Sequence, residues 1–330
     1  MSDATLLEVS DLTIGIRHGS RPPTAIVDGV SFAVGAGERF GVVGESGSGK
    51  SMTLRAIAGL LPRGVEVLGG SIRYRGTDLA TMTASARRAL MGPEIAMIFQ
   101  EPMTALNPVV RVGDQIAEGA RRHLGMSKTA AWEQAVAMLA RTGVPDPARR
   151  ARAFPHELSG GLRQRAMIAM ALSCTPKLLL CDEPTTALDV TVQHQVLRLL
   201  EELCGEVGAS LVFVTHDLAV VNQTCDALAV MYAGRIVETG AVESVFRRPR
   251  HPYSAGLLAS APDFDRPERS LVAIPGFPPD VARRAPGCAF APRCAFAQPG
   301  CSAASPALER AEAGHDVACF ESARLLEQTA

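Results

Sequence analysis

The chain is short of aromatic residues, of lysine and of net charge, and each shortage removes a class of function. Aromatics make up 5% of it, with one tryptophan and three tyrosines, which is poor material for a platform that stacks single-stranded bases. The formal charge is −1, so no broad basic field draws in nucleic acid, and no nucleic-acid partner is expected. Long apolar runs are missing too. "PKLLLC" and "GASLVFV" are far too short to cross a bilayer. The opening run MSDATLLEVSDL lacks the basic and apolar regions of a secretory leader. These absences point to the cytoplasm, with any membrane contact made through a partner. Lysine is confined to Lys50, Lys128 and Lys177, so a lysine in the right slot of a motif is a stronger signal than usual.

What is present is core-forming material, 47% apolar over 330 residues, enough for one large domain with an appendage or for two. Residues 1–100 hold the β-like segments "LLEVSDLTI" and "GVSFAV". They continue with "ERFGVVG", a buried-strand pattern that runs into a glycine loop and the helical "KSMTLRAIAGLL", and close on "EIAMIFQ". Residues 101–175 turn helical in "VGDQIAEGARRHLG", "TAAWEQAVAMLARTG" and "GGLRQRAMIAMALSC". From 176 to 240 the alternation resumes with the strand "KLLLCD" and a helix carrying Val192, Val196, Leu199 and Leu203 on one face. The strand "SLVFVTH" and the hairpin "ALAVMYAGRIVETG" complete it. This order predicts an α/β fold with a mostly parallel sheet core and an antiparallel β edge. The core would comprise 1–100 and 176–240, the helical insertion 101–175, and a Pro-, Arg- and Cys-rich extension 241–330.

Gly44, Glu45, Ser46, Gly47, Ser48, Gly49, Lys50 and Ser51 fit the phosphate-loop pattern G-x-x-x-x-G-K-[ST], with Met52 following in the helix. Such glycines let backbone N–H groups wrap phosphate oxygens. Lys50 would neutralise the β- and γ-phosphates and the Ser51 hydroxyl would bind Mg²⁺. A glycine-rich surface turn is the bland alternative, but the strand before and the helix after are the context the motif requires. "LLLCDEP" then delivers Asp182 and Glu183 to a strand's carboxyl end, where ligands gather in open α/β sheets. Asp182 suits Mg²⁺, and Glu183 could orient and deprotonate an attacking water. His216, closing "LVFVTH", could reach the γ-phosphate, and Gln100, closing "AMIFQ", could reach Mg²⁺ or the water. Taken singly, each of these is more often a solvated turn, a structural histidine or a loop residue. A second glycine turn opens a helix in "LSGGLRQR", residues 158–165, and is itself an anion site.

These motifs occur in the order and approximate spacing of one family. "GESGSGKS", Gln100, "LSGGLRQR", "LLLCDEP", "TALD" and His216 make the chain resemble the ATPase subunits of ABC transporters over roughly residues 5–245. In that family two ATPase subunits face each other head to tail with each ATP between them. The resemblance implies that Ser159, Gly160 and Gly161 cap the γ-phosphate of an ATP held by the partner's phosphate loop. Asp189 would lie at the same interface and relay between the two sites. "QEPMTALNPVVRVGDQIAE", "SGGLRQRAMIAMAL", "RHPYSAGLL" and the tail "PGCAFAPRCAFAQPGC" resemble the oligopeptide/dipeptide importer branch. It implies ATP-driven peptide uptake, with nickel or a sugar as the alternative cargo. The implied partners are a second ATPase subunit in a heterodimer, two transmembrane permeases and an extracytoplasmic solute-binding protein. The implied location is the cytoplasmic face of the inner membrane, as a peripheral subunit. Residues 101–118 would dock on the permease.

Two positions depart from the family pattern. Leu162 stands where Gln or Met is common, and "IGIRHGSRPPTAIVDGV" offers no aromatic residue for adenine, only Ile16, His18 or Arg21. Cys174, Cys181, Cys204 and Cys225 fall in core-like segments, where buried thiols are common. Cys288, Cys294, Cys301 and Cys319 cluster in the tail, and a reducing cytosol disfavours disulfides there. Four thiolates suit an iron–sulfur cluster or zinc, and free thiols are the third alternative. The resemblance favours a 4Fe–4S cluster, which some members carry. Two other classes are a soluble ABC ATPase of DNA repair or ribosomes and a non-catalytic regulatory subunit. The first would bring long coiled coils or a second ATPase domain, and the second would lack one of Lys50, Glu183 and His216.

Overall fold

Thr5–His18 shows how local chemistry sets this fold. Leu7 and Val9 are buried at a spacing of two, as are Leu12 and Ile14. The period slips between the pairs, where Asp11 takes a φ of 48° and the pairing register shifts. That extra residue lets both pairs face one core. The computed structural model describes residues 5–19, 21–186, 189–260, 272–281, 284 and 286–329, and it divides into two units.

The first unit comprises residues 1–35, 39–80 and 213–330. It holds a four-stranded antiparallel sheet in the order Arg21–Gly35, Thr5–His18, Val65–Tyr74, Thr77–Asp78. Val27, Val30, Val34 and Ile72 fill its buried face. A second strand array runs Glu309–Glu312, His315–Val317, Arg235–Ala241, Ala227–Tyr232, Arg39–Val43. Its pairings are antiparallel as far as Ala227–Tyr232, which then pairs in parallel with Arg39–Val43. Ala227–Tyr232 and Arg235–Ala241 form the expected hairpin. The hairpin of the tail, turning at Gly314, was not anticipated.

One buried carboxylate ties the tail to that array. Glu238 is fully buried and accepts the N–H of Arg250 (2.6 Å), the N–H of His251 (2.9 Å) and His315 Nε2 (2.7 Å). Three donors on one carboxylate make its burial tolerable. Tyr232, Tyr253 and Phe290 pack nearby with centroids 4.5 to 5.4 Å apart, so two of the chain's three tyrosines lie under the tail.

The second unit comprises residues 36–38 and 81–212. Ile95–Ile98 pairs in parallel with Leu178–Asp182, both wholly buried. Val112–His123, Lys128–Arg141 and Gly160–Leu172 pack together through Ile116, Ala120, Ala135, Leu139 and Met167. Val190–Val207 buries Val196, Leu197, Leu200, Leu203 and Cys204. Its face is rotated from the expected one, with Val192 and Leu199 half-buried. Ser210–Thr215 is a fully buried strand that runs through the division. Among the described residues no helix is long and apolar enough to cross a membrane.

Candidate functional site

In the first unit, Arg39–Val43 ends in a loop built for close backbone approach. Gly44 has a φ of 154°, and a Cβ there would lie 2.1 Å from the Met231 carbonyl oxygen. The loop turns on Ser48 N–H to Glu45 carbonyl (3.2 Å) and is clamped by Gly234 N–H to Ser48 carbonyl (2.9 Å). Gly49 sits in the left-handed region at the N-terminus of Lys50–Ala58, and its carbonyl accepts Thr53 N–H and hydroxyl at 3.0 and 3.1 Å. Ser46 and Gly47 are exposed, Ser48, Gly49 and Lys50 are buried, and Ser51 and Met52 are half-buried. Lys50 Nζ donates to the carbonyls of Gly44 (2.7 Å) and Glu45 (3.0 Å). A fixed ammonium and a helix N-terminus thus concentrate positive potential on one loop. The Glu45 N–H is already engaged, donating to Tyr253 Oη at 2.8 Å.

His216, in the same unit, is exposed immediately after the buried Thr215 that ends its strand. Asp217 next to it caps Leu218–Thr224 by accepting the Ala219 N–H at 2.9 Å. Ile16 is half-buried, and His18 is exposed with Nε2 3.0 Å from Thr24 Oγ1. The Arg21 side chain lies outside the described part.

The second unit holds Gln100, Ser159, Gly160, Gly161, Asp182, Glu183 and Asp189 of the expected residues. Asp182 is buried, 1% exposed, as the last residue of Leu178–Asp182. Glu183 follows at a φ of 46°, strained for a residue with a Cβ. Its Oε2 accepts the Thr186 hydroxyl at 2.8 Å and Gln100 Nε2 at 3.4 Å. Gln164, which sequence reasoning missed, is 1% exposed and donates its amide to the carbonyl of Pro184. It joins the helix begun by the Ser-Gly-Gly turn to the loop carrying Glu183. Ser159 is that helix's N-cap residue and, with Gly160, is exposed, and the first-turn N–H groups have no partner within the helix. Gly161 is half-buried, and a Cβ there would lie 3.6 Å from Val192 Cγ1. Asp189 caps Val190–Val207, its Oδ1 accepting the Val192 N–H at 3.0 Å. Residues 187–188 of the "TALD" run lie outside the described residues.

The tail cysteines converge although they span thirty-one positions of sequence between Cys288 and Cys319. Cys288, Cys294, Cys301 and Cys319 line one small cavity of about 20 Å³ together with Phe290 and Phe320. All four are free thiols. Cys294 Sγ accepts the Phe296 N–H and Cys319 Sγ the Glu321 N–H, each at 3.4 Å, and Cys288 takes backbone N–H groups of Phe290 and Ala291. Burial pushes the thiols of Cys288 and Cys294 up, and that of Cys319 to about 12, with the neighbouring cysteines adding to each rise. A cation in their midst would reverse that balance. Among the described residues no group of three or more His, Cys, Asp or Glu side chains is already arranged as a metal-ion site. Cys174 and Cys204, by contrast, are buried core thiols, raised by desolvation.

A glycine cradle between a buried strand and a helix, a lysine folded over it, and an Asp-Glu pair ending a second buried strand define a phosphate-loop NTPase. The ABC transporter family model matches residues 27–186, and the model for the oligopeptide/dipeptide transporter C-terminal region matches residues 237–301. A relative from Brucella melitensis, named a peptide import ATP-binding protein, is 49% identical over 332 residues, covering 97% of this chain and 98% of its own. One from Sinorhizobium fredii, named a peptide ABC transporter ATP-binding protein, is 47% identical over 319 residues, covering 96% and 95%. Two solved structures are similar in fold. A dimeric ATP-binding cassette in a post-hydrolysis state with ADP and Pi gives a TM-score of 0.64 at 24% identity, over 72% of this chain and 98% of that one. The cbiO1 cassette from Clostridium perfringens gives 0.62 at 26% identity, over 74% and 91%. The chain belongs to the ATP-binding proteins of ABC transporters.

Proposed function

We propose that this chain is the ATP-hydrolysing subunit of an importer for di- or oligopeptides. The observation that carries the reading is likeness along nearly the whole chain, tail included, to relatives named for peptide import. In this account the N–H groups of residues 46–52 and Lys50 hold the triphosphate, with Glu45 placing the loop. Glu183 deprotonates the attacking water, Gln100 directs that carboxylate, and His216 contacts the γ-phosphate. General-base catalysis of this kind is worth roughly 10²- to 10⁴-fold. Ser51, Asp182 and Gln100 offer oxygen donors, the ligand type Mg²⁺ takes; when bound, the ion would neutralise phosphate charge. Ser159, Gly160 and Gly161 face the γ-phosphate of a second subunit's ATP, and Asp189 relays between the sites. A γ-phosphate gripped from two chains closes the dimer, and its release opens it.

The partners in this reading are a second ATPase subunit in a heterodimer, two permeases and a solute-binding protein, with the chain at the cytoplasmic face of the inner membrane. Residues 101–118 suit permease docking. Met103 and Val109 there are 53% and 78% exposed. Gln115 fixes the segment by accepting the Asn107 N–H (2.8 Å) and donating to the carbonyls of Asn107 and Val110 (3.0 and 2.8 Å). We read 1–100 with 176–240 as the ATPase core, 101–175 as the helical insertion and 241–330 as the importer-type extension. The four tail cysteines are read as a metal module, with an iron–sulfur cluster preferred to zinc. Their shared cavity and N–H···S contacts support it.

Uptake of labelled di- and oligopeptides in a strain lacking the gene tests the cargo. The wild-type gene should restore uptake and Glu183→Gln should not. Restored nickel or sugar uptake without peptide uptake would contradict peptide import.

A further inference from the structure

Glu45 is an awkward residue for a phosphate loop, because a carboxylate beside an anion site repels the anion. The structure shows how that charge is handled. Arg293 Nη1 donates to Glu45 Oε2 at 2.6 Å and Nη2 to Oε1 at 3.0 Å, a bidentate pair. The Arg293 side chain is 5% exposed. Its Nε donates to the Pro275 carbonyl at 2.8 Å, and Nη1 also reaches Tyr232 Oη at 3.3 Å. Its guanidinium carbon lies 5.8 and 5.9 Å from the ring centroids of Tyr232 and Phe290. The guanidinium is therefore fixed from several directions before it meets Glu45. On its other sides, Glu45 gives its N–H to Tyr253 Oη, while its carbonyl accepts Lys50 Nζ and the Ser48 N–H. Glu45 is thus held by Arg293 and Tyr253 of the tail.

We propose that Arg293 is a positioning residue of the nucleotide site, one that neutralises the Glu45 carboxylate, draws it aside from the phosphates and so holds the loop that carries Lys50. The proposal rests on the phosphate-loop reading above and adds that the cysteine-bearing tail is a working part of the nucleotide site. Arg293 closes the short turn Ala291–Arg293 and is followed directly by Cys294, which joins this turn to the cluster of four thiols.

The test is titration of the purified full-length chain with a fluorescent ATP analogue. Arg293→Ala should weaken binding at least about tenfold, because it leaves the Glu45 carboxylate unpaired beside the anion site. The defect should be larger at low salt, where the bare carboxylate repels most. Glu45→Gln combined with Arg293→Ala should bind at least about threefold more tightly than Arg293→Ala alone, because the repelling charge is gone. A merely structural role gives no such rescue, since the second change removes more contacts. Arg293→Lys, which keeps charge and stem but loses the fork, should fall between wild type and Arg293→Ala. If Arg293→Ala does not fold, it carries the same comparison with Glu45→Gln. Unchanged affinity in Arg293→Ala, or a double variant as weak as the single, overturns the proposal. Unchanged affinity in Lys50→Ala as well would bring down the phosphate-loop reading with it.

Discussion

Gln100 Nε2 donates to Glu183 Oε2 at 3.4 Å, and the Thr186 hydroxyl donates to the same oxygen at 2.8 Å. Two neutral donors on one oxygen hold the carboxylate without cancelling its charge. A carboxylate so held keeps the charge that the proposed proton acceptor needs. Glu183 also has a left-handed φ of 46°, a conformation tolerated where the surroundings over-determine it.

Glu183→Gln should therefore lower ATP turnover by roughly 10²- to 10⁴-fold, the share a general base supplies. ATP affinity should stay within about threefold, since the amide keeps the shape and one oxygen able to accept from Gln100 and Thr186. Steady-state hydrolysis and equilibrium nucleotide binding, measured on the same preparation, check both halves. Normal turnover would remove Glu183 from its assigned role.

Lys50→Ala acts at the other end of the reaction. Without the ammonium, the loop loses the charge folded over it, and ATP affinity should fall by at least about tenfold, or ~1.4 kcal/mol. Isothermal titration calorimetry reads this directly.

Gly44→Ala should be more damaging than its small size suggests. The new Cβ would lie 2.1 Å from the Met231 carbonyl oxygen and 2.9 Å from Ser48 Oγ, at a φ of 154°. Both obstacles are fixed parts of the loop and the neighbouring strand. A cost above about 4 kcal/mol, or failure to fold, is expected. Gly160→Ala, where a Cβ meets nothing within 4 Å, should leave the melting temperature within about 2 °C in the same thermal scan.

Anaerobically purified protein should carry metal at Cys288, Cys294, Cys301 and Cys319. Ultraviolet–visible absorbance with iron and zinc analysis distinguishes a brown iron–sulfur protein from a colourless zinc protein. Metal-free, colourless protein would leave the cluster out of the account. Cys301→Ser should reduce metal content and lower thermal stability together, because binding energy to the folded state is folding energy.

The strand–loop–helix around Lys50 was legible because its signal is local: an apolar run, glycines at fixed offsets, then a helical pattern. Asp182 at its strand's end and Gln100 just beyond its own were legible for the same reason. The rotation of Val190–Val207 was not, since Leu197 and Leu200 compete with Val192 and Leu199 for the buried stripe and periodicity alone cannot choose between adjacent faces. The grip of Arg293 on Glu45 was beyond reach altogether. The two lie 248 positions apart, and although the phosphate-loop pattern marks Glu45, nothing local marks Arg293 or pairs it with that carboxylate. Glu238 is hidden in the same way, because a lone carboxylate in a strand reads as solvent-facing until His251 and His315 arrive to bury it.

The central claim is that ATP is held between the phosphate loop of one subunit and the Ser-Gly-Gly turn of another. Photolysis of the assembled transporter with an ATP analogue reactive at its terminal phosphate tests this most directly. Mass spectrometry should find label on the peptide bearing residues 44–52 in one subunit and on that bearing Ser159, Gly160 and Gly161 in the facing one. Label confined to the phosphate loop, with none on the Ser-Gly-Gly turn of either subunit, would contradict the account.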